Sequence, residues 1–396
     1  MPWKETKVLD QKRLFISRWC LGEECLTSLC EEFGVSRKTG YKWIDRFKKD
    51  GIGGLENLSQ RPHAFRDETP REVVCEIIRI KNWKPFWGGR KIGHYLRAQK
   101  QLSKIPHSRT IDRYLRRCGY VTPRKTSSPK EFVSENLIEP SKPNDVWTLD
   151  FKGWWRTKDG KRCEPLTIRD MHSRYLLNLS AHRSATFEAV KERFYNIFEE
   201  FGLPRVIRSD NGGPFASVRA MHRLTRFGIM LMKHGVVPNR MDPGSPQQNG
   251  AHERMHLDIK RELQSTPAGK LRSEQERFDI WRYEFNHVRP HESLGGSTPA
   301  KCYKPSAKRF MGDKATFEYP VDFSLRKVSS SGDFFWNGKA VRLSKAFAGE
   351  YVGIEDCGEV DLNVYFCDFH LASLHRKERI LTPTSVLRRE AIGKRN

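Results

Sequence analysis

The chain has 396 residues, enough for two to four domains, and its 72 lysine and arginine residues outnumber its 48 aspartate and glutamate residues. The resulting formal charge of +24 favours a polyanionic partner, nucleic acid first, although basicity alone does not choose between DNA, RNA and an anionic membrane. No apolar run reaches the roughly 18 residues of a membrane span. The first residues also lack the apolar core of a signal peptide, so we expect a cytoplasmic protein that is nucleoid-associated when it is bound to DNA. The nine cysteines form no Cys-x-x-Cys pair, which argues against a disulfide framework or a zinc module.

Residues 1–56 are predicted to form a helix-turn-helix DNA-binding domain. Apolar residues recur at helical spacing until Gly34, and Ser36 can cap a second helix. The same geometry also occurs in ordinary helical bundles, so the local pattern alone does not establish DNA contact. Three basic residues lie off the apolar stripe of the second helix, where they would face the major groove: Arg37, Lys38 and Lys42. The polar, proline-containing residues 57–69 indicate a linker.

Residues 70–120 repeat this pattern and predict a second helix-turn-helix domain. Its third helix opens at Ser108 and has an apolar stripe on one side. A basic helix face is often no more than a solvated face, but here only Asp112 balances four arginines, which favours phosphate contact. The four are Arg109, Arg113, Arg116 and Arg117. Residues 121–144 are rich in Pro, Ser and Lys and indicate a second linker.

Residues 145–305 change from a helical to a mixed pattern. Their predicted element order, β-β-β-α-β-α-β-α, is that of a ribonuclease H-like α/β core with a mixed five-stranded sheet. Asp150 lies within the first strand and Asp210 at the end of the fourth, so the two meet at one sheet edge if those strands are neighbours. A helix with a Ser245–Gln248 capping box would then bring Glu253 to them.

Residues 320–376 predict five short strands separated by glycine-containing turns, which is typical of a small antiparallel β-barrel. Such a barrel could bind DNA or a partner subunit, or it could be a packing module only. Residues 377–396 predict a basic, mobile tail. The whole chain is therefore expected to be a multidomain α+β protein.

Three acids on two strands and a helix suit metal-assisted phosphoryl transfer. Two Mg²⁺ ions about 3.5–4 Å apart can activate an attacking oxygen and stabilise a leaving oxygen. We expect Asp150 to bridge the two ions, with Asp210 and Glu253 each holding one, and Mn²⁺ to substitute for Mg²⁺. Each acid taken singly is weak evidence, since most Asp-Asn-Gly sequences are simple turns.

The chain resembles the integrase core of bacterial insertion-sequence transposases, the Asp-Asp-Glu enzymes related to retroviral integrases. The resemblance is strong over about residues 145–300 and looser in the flanking parts. The segments that show it are Trp147-Thr148-Leu149-Asp150-Phe151-Lys152-Gly153, Arg208-Ser209-Asp210-Asn211-Gly212, Pro246-Gln247-Gln248-Asn249-Gly250-Ala251-His252-Glu253-Arg254 and Asn286-His287-Val288-Arg289-Pro290-His291.

This resemblance implies a catalytic triad of Asp150, Asp210 and Glu253 in a DNA transposase. Such an enzyme binds the ends of its element, cleaves a phosphodiester and joins the freed 3′-OH to target DNA. The basic residue seven positions after the catalytic glutamate contacts the element end in this family, and Lys260 matches it. Asn249, on the same predicted helix face, is a further candidate for DNA contact. Because two ends must be handled together, we expect a homo-oligomer. The spacing between Asp210 and Glu253 exceeds that of many relatives, which indicates a longer loop and helix before Glu253.

Three alternatives remain open from the sequence. His252-Glu253-Arg254-Met255-His256 also spells the zinc-protease signature His-Glu-x-x-His, although short motifs recur by chance. In the integrase interpretation these histidines pack beside the site, with His256 near DNA. The chain could also be a catalytically silent DNA-binding regulator derived from a transposase, or a ribonuclease H-type nuclease without joining activity.

Overall fold

A computed structural model describes residues 8–57, 69–99, 102, 104–121, 139–210, 213, 215, 220–241, 250–312, 317–358, 360–385 and 387–390. The chain divides into two compact units, residues 1–68 and 69–396. Most of the two predicted linkers, the Ser245–Gln248 cap and Asn249 lie outside the described residues.

The first unit contains a three-helix module. Its helices are α1 (Val8–Leu21), α2 (Leu26–Glu32) and α3 (Arg37–Asp50). Phe15, Leu29 and Ile44 are buried between them. Ser36 caps α3 as predicted, because its side chain accepts a hydrogen bond from the Thr39 amide. The sequence pattern predicted α2 and α3 but not α1.

The second unit begins with another three-helix module. Its helices are α4 (Arg71–Trp83), α5 (Gly89–Gln99) and α6 (Ser108–Arg117). Ile77, Ile92 and Ile111 are fully buried at its centre. Ion pairs join this module to residues later in the same unit: Lys84 Nζ lies 2.6 Å from Glu284 Oε2, and Arg90 Nη1 lies 2.9 Å from Glu292 Oε2.

A mixed sheet follows. Its strands are β1 (Val146–Phe151), β2 (Trp155–Arg156), β3 (Arg162–Asp170), β4 (Leu176–His182), β5 (Val206–Ser209) and β6 (Val237–Arg240). β1 pairs in parallel with β5, and β5 pairs in parallel with β6. β3 pairs antiparallel with β1, β2 and β4. The mixed pairing agrees with the prediction, but the prediction of five strands was wrong. The additional strand β2 has only two residues, too few for an alternating pattern.

Helices cover both faces of this sheet. They are α7 (Phe187–Phe201), α8 (Arg226–Lys233), α9 (Gly250–Ile259), α10 (Leu271–His287) and α11 (Pro299–Cys302). Phe194 of α7 and Phe227 of α8 pack in one buried cluster with Trp147 and Leu149 of β1. Ile259 of α9 and Phe278 of α10 form a second cluster with other sheet residues. Because side chains alternate along β1, Thr148 and Asp150 face the α9 side.

The carboxyl-terminal part is all β. Its strands are β7 (Ser324–Lys327), β8 (Asp333–Trp336), β9 (Lys339–Arg342), β10 (Tyr351–Asp356), β11 (Asp361–Phe366), β12 (Phe369–His375) and β13 (Leu381–Pro383). Five of them form an antiparallel sheet in the order β7-β10-β11-β12-β13, while β8 and β9 form a hairpin. The pairings found among the described strands leave β7 and β13 at the edges, so the predicted closed barrel is not shown. β13 lies within the predicted basic tail, which is therefore partly ordered.

Among the described residues, no helix has the length and apolar character needed to cross a bilayer.

Candidate active site

Two of the predicted catalytic acids occupy neighbouring positions at one edge of the core sheet. β1 and β5 run parallel, with Leu149 opposite Ser209. Asp150 and Asp210 are the next residues of the two strands, so the parallel pairing brings their carboxylates to the same edge. The Asp150 side chain is 22% exposed, and Asp210 is half-buried. The Asp150 carboxylate therefore has little contact with water and lies next to a second acidic side chain.

The third acid reaches this edge from α9. Met255 and Ile259 bury the inner side of that helix, and Glu253 is exposed in its first described turn. Burial, the charge of Asp210 and, to a smaller extent, the charge of Glu253 raise the pKa of Asp150 to about 7, although the Lys152 ammonium opposes them. The structure therefore brings Asp210 and Glu253 within electrostatic range of Asp150.

This donor set fits a divalent cation. Carboxylate oxygens are the ligands that Mg²⁺ prefers in proteins. A buried carboxylate that is destabilised by two negative neighbours is stabilised when a cation binds between them. Asp150 is influenced by the charge of Asp210, which follows the neighbouring strand, and by the charge of Glu253 on α9, so a cation bound here would be attracted by all three carboxylates.

A buried polar network joins α9 to the sheet beside Asp150. The Thr167 hydroxyl lies 2.6 Å from His252 Nε2 and 2.8 Å from His256 Nε2, and it donates to the Asp150 carbonyl oxygen at 2.9 Å. Thr148 Oγ1 lies 3.1 Å from His252 Nδ1. His256 Nδ1 lies 3.7 Å from Asp150 Oδ2. The network fixes the position of α9 relative to the strand that bears Asp150.

Both histidines are neutral in this environment. Burial lowers the pKa of His256 to about 3 and places the pKa of His252 well below its usual range. The contact between His256 and Asp150 is therefore not an ion pair. One donor atom from each of Asp150, His252 and His256 lies within 4.8 Å of the others. Both ring nitrogens of His252, however, are hydrogen-bonded to threonines, which argues against the zinc-protease alternative. The expectation that the histidines pack beside the site agrees with the structure.

Two arginines border the site, the half-buried Arg240 and the buried Arg169. Arg240 is the last residue of β6 and pairs with Ser209, to whose hydroxyl its guanidinium donates a hydrogen bond. Burial lowers the pKa of Arg240 to about 10, and the nearby charge of Asp210 opposes this shift. Arg169 donates to the carbonyl oxygen of Ala251 at 2.7 Å, at the start of α9. Arg240 is thus linked to the strand end that bears Asp210, and Arg169 is linked to the helix that bears Glu253.

Lys260 lies where the α-helix changes to a π-helical turn, Lys260–Gln264. Such turns are frequent at functional sites. Lys260 is exposed. Burial and, to a smaller extent, the charge of Lys260 lower the pKa of Lys152, whereas the charge of Asp150 raises it. Lys152 is therefore within electrostatic range of both Asp150 and Lys260, so positive charge lies close to the acid on β1.

The basic residues predicted to contact DNA in the helical modules are all exposed: Arg37, Lys38 and Lys42 on α3, and Arg109, Arg113, Arg116 and Arg117 on α6. Their side chains are available to a ligand, as the prediction requires. Asn249 lies outside the described residues.

The sequence pattern did not identify the supporting residues of the site. Thr148, Thr167, Lys152, Arg169 and Arg240 carry no motif by themselves. One signal was present: the polar Thr148 alternates with Trp147 and Leu149 in an otherwise apolar strand, on the same face as Asp150.

Family models match most of the described chain. An integrase core domain matches residues 140–246, and a second model of the same description matches residues 234–299. A helix-turn-helix domain matches residues 12–63, and a homeodomain-like domain matches residues 39–115. The first two matches include Asp150, Asp210 and Glu253.

Relatives agree with these domains. An uncharacterized 39.2 kDa protein of insertion element IS476 from Xanthomonas euvesicatoria is 29% identical, covering 63% of this chain and 70% of its own length. An uncharacterized 31.7 kDa protein of insertion element IS407 from Burkholderia multivorans is 23% identical, covering 68% of this chain and 92% of its own length. The magnesium-bound catalytic core domain of HTLV-2 integrase aligns with a TM-score of 0.31 at 16% identity, covering 42% of this chain and 100% of that domain.

The chain is therefore a protein with an integrase core domain and helix-turn-helix domains. Within that class it is similar to proteins of bacterial insertion elements, which confirms the resemblance predicted from the sequence.

Proposed function

We propose that this chain is a DNA transposase that cleaves and joins DNA at the site formed by Asp150, Asp210 and Glu253. The observation that carries this proposal is the placement of the mostly buried Asp150 next to Asp210 at the carboxyl ends of the parallel strands β1 and β5, within the residues that an integrase core domain matches. Neighbouring acids do not stabilise an aspartate that has only a structural role, whereas a site that binds a cation requires several acids close together.

Two Mg²⁺ ions, or Mn²⁺ in their place, would supply positive charge for the attacking and leaving oxygens of an in-line phosphoryl transfer. Asp150 would be shared by the ions, and Asp210 and Glu253 would complete their ligands. Lys152 and Lys260 would hold the DNA phosphates near these acids. Water attacks the phosphodiester first, and the 3′-OH that is released then attacks target DNA. No protein–DNA covalent bond is needed.

The helical modules would bind double-stranded DNA at the element ends through α3 and α6. A homo-oligomer would hold the two ends together, with Asn249 and Lys260 contacting the terminal nucleotides. The carboxyl-terminal strands, closed into a barrel or not, would contact DNA or a second copy of the chain. We place this activity in the bacterial cytoplasm, on the nucleoid.

The test uses labelled element ends, a plasmid target and Mg²⁺. Asp150→Asn, Asp210→Asn and Glu253→Gln should each reduce cleavage and joining by at least about 10³-fold, because each removes a ligand of the site. Binding to element ends should change less than about twofold. Glu276→Gln, an exposed acid of α10, is the matched control and should keep wild-type activity.

Substantial Mg²⁺-dependent cleavage by any of the three variants would contradict the assignment. End binding by the wild-type chain without cleavage under any divalent cation would instead favour the alternative, a catalytically silent regulator derived from a transposase.

A further inference from the structure

The hydrogen bonds around Thr167 determine which nitrogen of His256 carries the proton. The Thr167 hydroxyl has one proton and gives it to the Asp150 carbonyl oxygen, which can only accept. It must therefore accept from both imidazoles, at 2.6 Å from His252 Nε2 and 2.8 Å from His256 Nε2. Both rings consequently carry their proton on Nε2.

This assignment leaves the Nδ1 lone pair of His256 beside a carboxylate oxygen. The two atoms, His256 Nδ1 and Asp150 Oδ2, are 3.7 Å apart, and neither carries a proton that the other could accept when Asp150 is ionised. Two ligand atoms that each lie about 2.1 Å from one ion are roughly 3.0–3.6 Å apart at bond angles between 90° and 120°. The observed 3.7 Å is just above this range, so a small side-chain adjustment lets one divalent cation contact both atoms.

His252 offers an internal contrast. It lies one turn before His256 on α9, but its Nδ1 lies 3.1 Å from the Thr148 hydroxyl, which can donate to it in place of the more distant Arg169 carbonyl oxygen at 3.4 Å. Of these two histidines, only His256 directs a lone pair toward an acid of the site. A histidine that binds a metal usually donates its other N–H to a fixed acceptor, and Thr167 provides that acceptor for His256.

We propose that His256 Nδ1 is a ligand of the divalent cation held by Asp150, so that the site contains a nitrogen donor in addition to its three carboxylates. The proposal rests on the proposed function, since it concerns the same cation. Nitrogen donors bind Mn²⁺ and Zn²⁺ better than Mg²⁺, which favours oxygen. The predicted consequence is a site that binds Mn²⁺ more tightly than a purely carboxylate site would.

The direct test is pulsed EPR of Mn²⁺ bound to the full chain, without an affinity tag and labelled with ¹⁵N at histidine. The wild-type spectrum should show a hyperfine coupling from one directly bound nitrogen. His256→Gln should remove this coupling, whereas His252→Gln should keep it. Absence of the coupling in the wild-type protein overturns the proposal, and this result does not depend on how any variant folds.

Isothermal titration provides a second readout. His256→Gln should weaken Mn²⁺ binding roughly tenfold and Mg²⁺ binding less than about twofold. Equal losses for both ions, or no loss for either, would contradict a nitrogen ligand.

Asp150→Asn distinguishes a failure of the proposed His256 ligand from a failure of the proposed cation site. If it abolishes Mn²⁺ binding while the wild-type protein lacks the nitrogen coupling, only the role of His256 fails. If it leaves Mn²⁺ binding unchanged, the proposed cation site itself fails.

Discussion

At the scale of single residues, the defining feature is an ionisable group placed where its charge is unfavourable. Asp150 is mostly buried and has Asp210 and Glu253 nearby, and these conditions raise its pKa from 3.8 to about 7. Between about pH 4 and pH 7, Asp150 is therefore protonated in the folded chain without a cation but ionised in the unfolded chain. Ionised Asp150 therefore carries an electrostatic cost, which either a bound proton or a bound cation removes.

This cost predicts a pH-dependent stability. The stabilising contribution of protonated Asp150 is complete below about pH 4 and is lost as the pH rises to about 7. Asp150→Asn should therefore be more stable than the wild type by on the order of 1–4 kcal/mol at pH 8 without metal, and by less at pH 5. Thermal unfolding at both pH values, with and without Mg²⁺, measures this difference.

Two comparisons complete the test. Mg²⁺ should raise the melting temperature of the wild-type chain but not that of Asp150→Asn. Asp322→Asn, at an exposed position, should leave the pH dependence unchanged. A variant Asp150→Asn that is less stable than wild type at pH 8 would show that the carboxylate is held by favourable contacts instead.

The acids could be found from sequence because each ends or begins a recognisable element. The role of His256 could not, since it depends on Thr167, 89 residues away, which accepts one ring N–H of His256 and passes its own proton to the Asp150 backbone. Hydrogen-bond partners that are distant along the chain leave no local pattern.

At the scale of elements, the junction between α9 and α10 positions the helix that bears Glu253. Arg289, just after α10, donates to Asp258 at 2.7 Å and to both oxygens of Glu262 at 2.6 and 2.8 Å. Trp281 donates to Glu262 as well. Arg289 belongs to one of the segments that show the family resemblance, and the structure gives it a structural role: it ties α10 to α9 and to the π-helical turn after it.

Removing this guanidinium should be costly. Arg289→Ala leaves Asp258 and Glu262 without their main partner in a largely buried place, so we expect a loss of about 3–5 kcal/mol in the free energy of unfolding. Chemical denaturation of the full chain measures the loss. The matched control on α10 is Arg272→Ala, whose side chain is 92% exposed and whose pair with Glu276 should contribute less than about 1 kcal/mol.

A triple variant tests whether the loss in the free energy of unfolding comes from unpaired charges or from lost packing. Arg289→Met combined with Asp258→Asn and Glu262→Gln removes all three charges and keeps most of the volume. It should recover at least about half of the loss. If the triple variant is no more stable than Arg289→Ala, packing of the guanidinium against Trp281 and Phe285 is the main contribution.

Elements with a strong local pattern were predictable, and elements held by pairing alone were not. The helix Phe187–Phe201 has an apolar stripe, an N-cap at Thr186 and Gly202 at its end, so its limits follow from the sequence. β13, Leu381–Pro383, has three residues and ends in proline, and only its pairing with β12 makes it a strand.

At the scale of the whole molecule, the positive charge is densest in the helical modules. α6 exposes Arg109, Arg113, Arg116 and Arg117, while the same module is tied to later parts of the second unit through Lys84, just after α4, and through Arg90 of α5. The arginine face of α6 is thus free for DNA while its module is anchored. The sequence predicted the basic face, but it could not predict this anchoring, because the ion pairs join residues about 200 positions apart.

Replacing the four α6 arginines with glutamine should weaken binding to any DNA sequence and reduce its dependence on salt. Each lost phosphate contact lowers the slope of log K against log salt concentration by about 0.9, so the total reduction should lie between about 1 and 3.5. Fluorescence anisotropy on element ends and on unrelated duplexes, at roughly 50 to 300 mM salt, measures this change in slope.

The matched control replaces four exposed basic residues elsewhere in the second unit: Lys270, Arg272, Lys301 and Lys304. Both variants lose the same charge, so an equal change in slope would mean that net charge alone attracts DNA. A reduction confined to the α6 variant would mean that this helix contacts the phosphates, and an unchanged slope would mean that its arginines are only solvated.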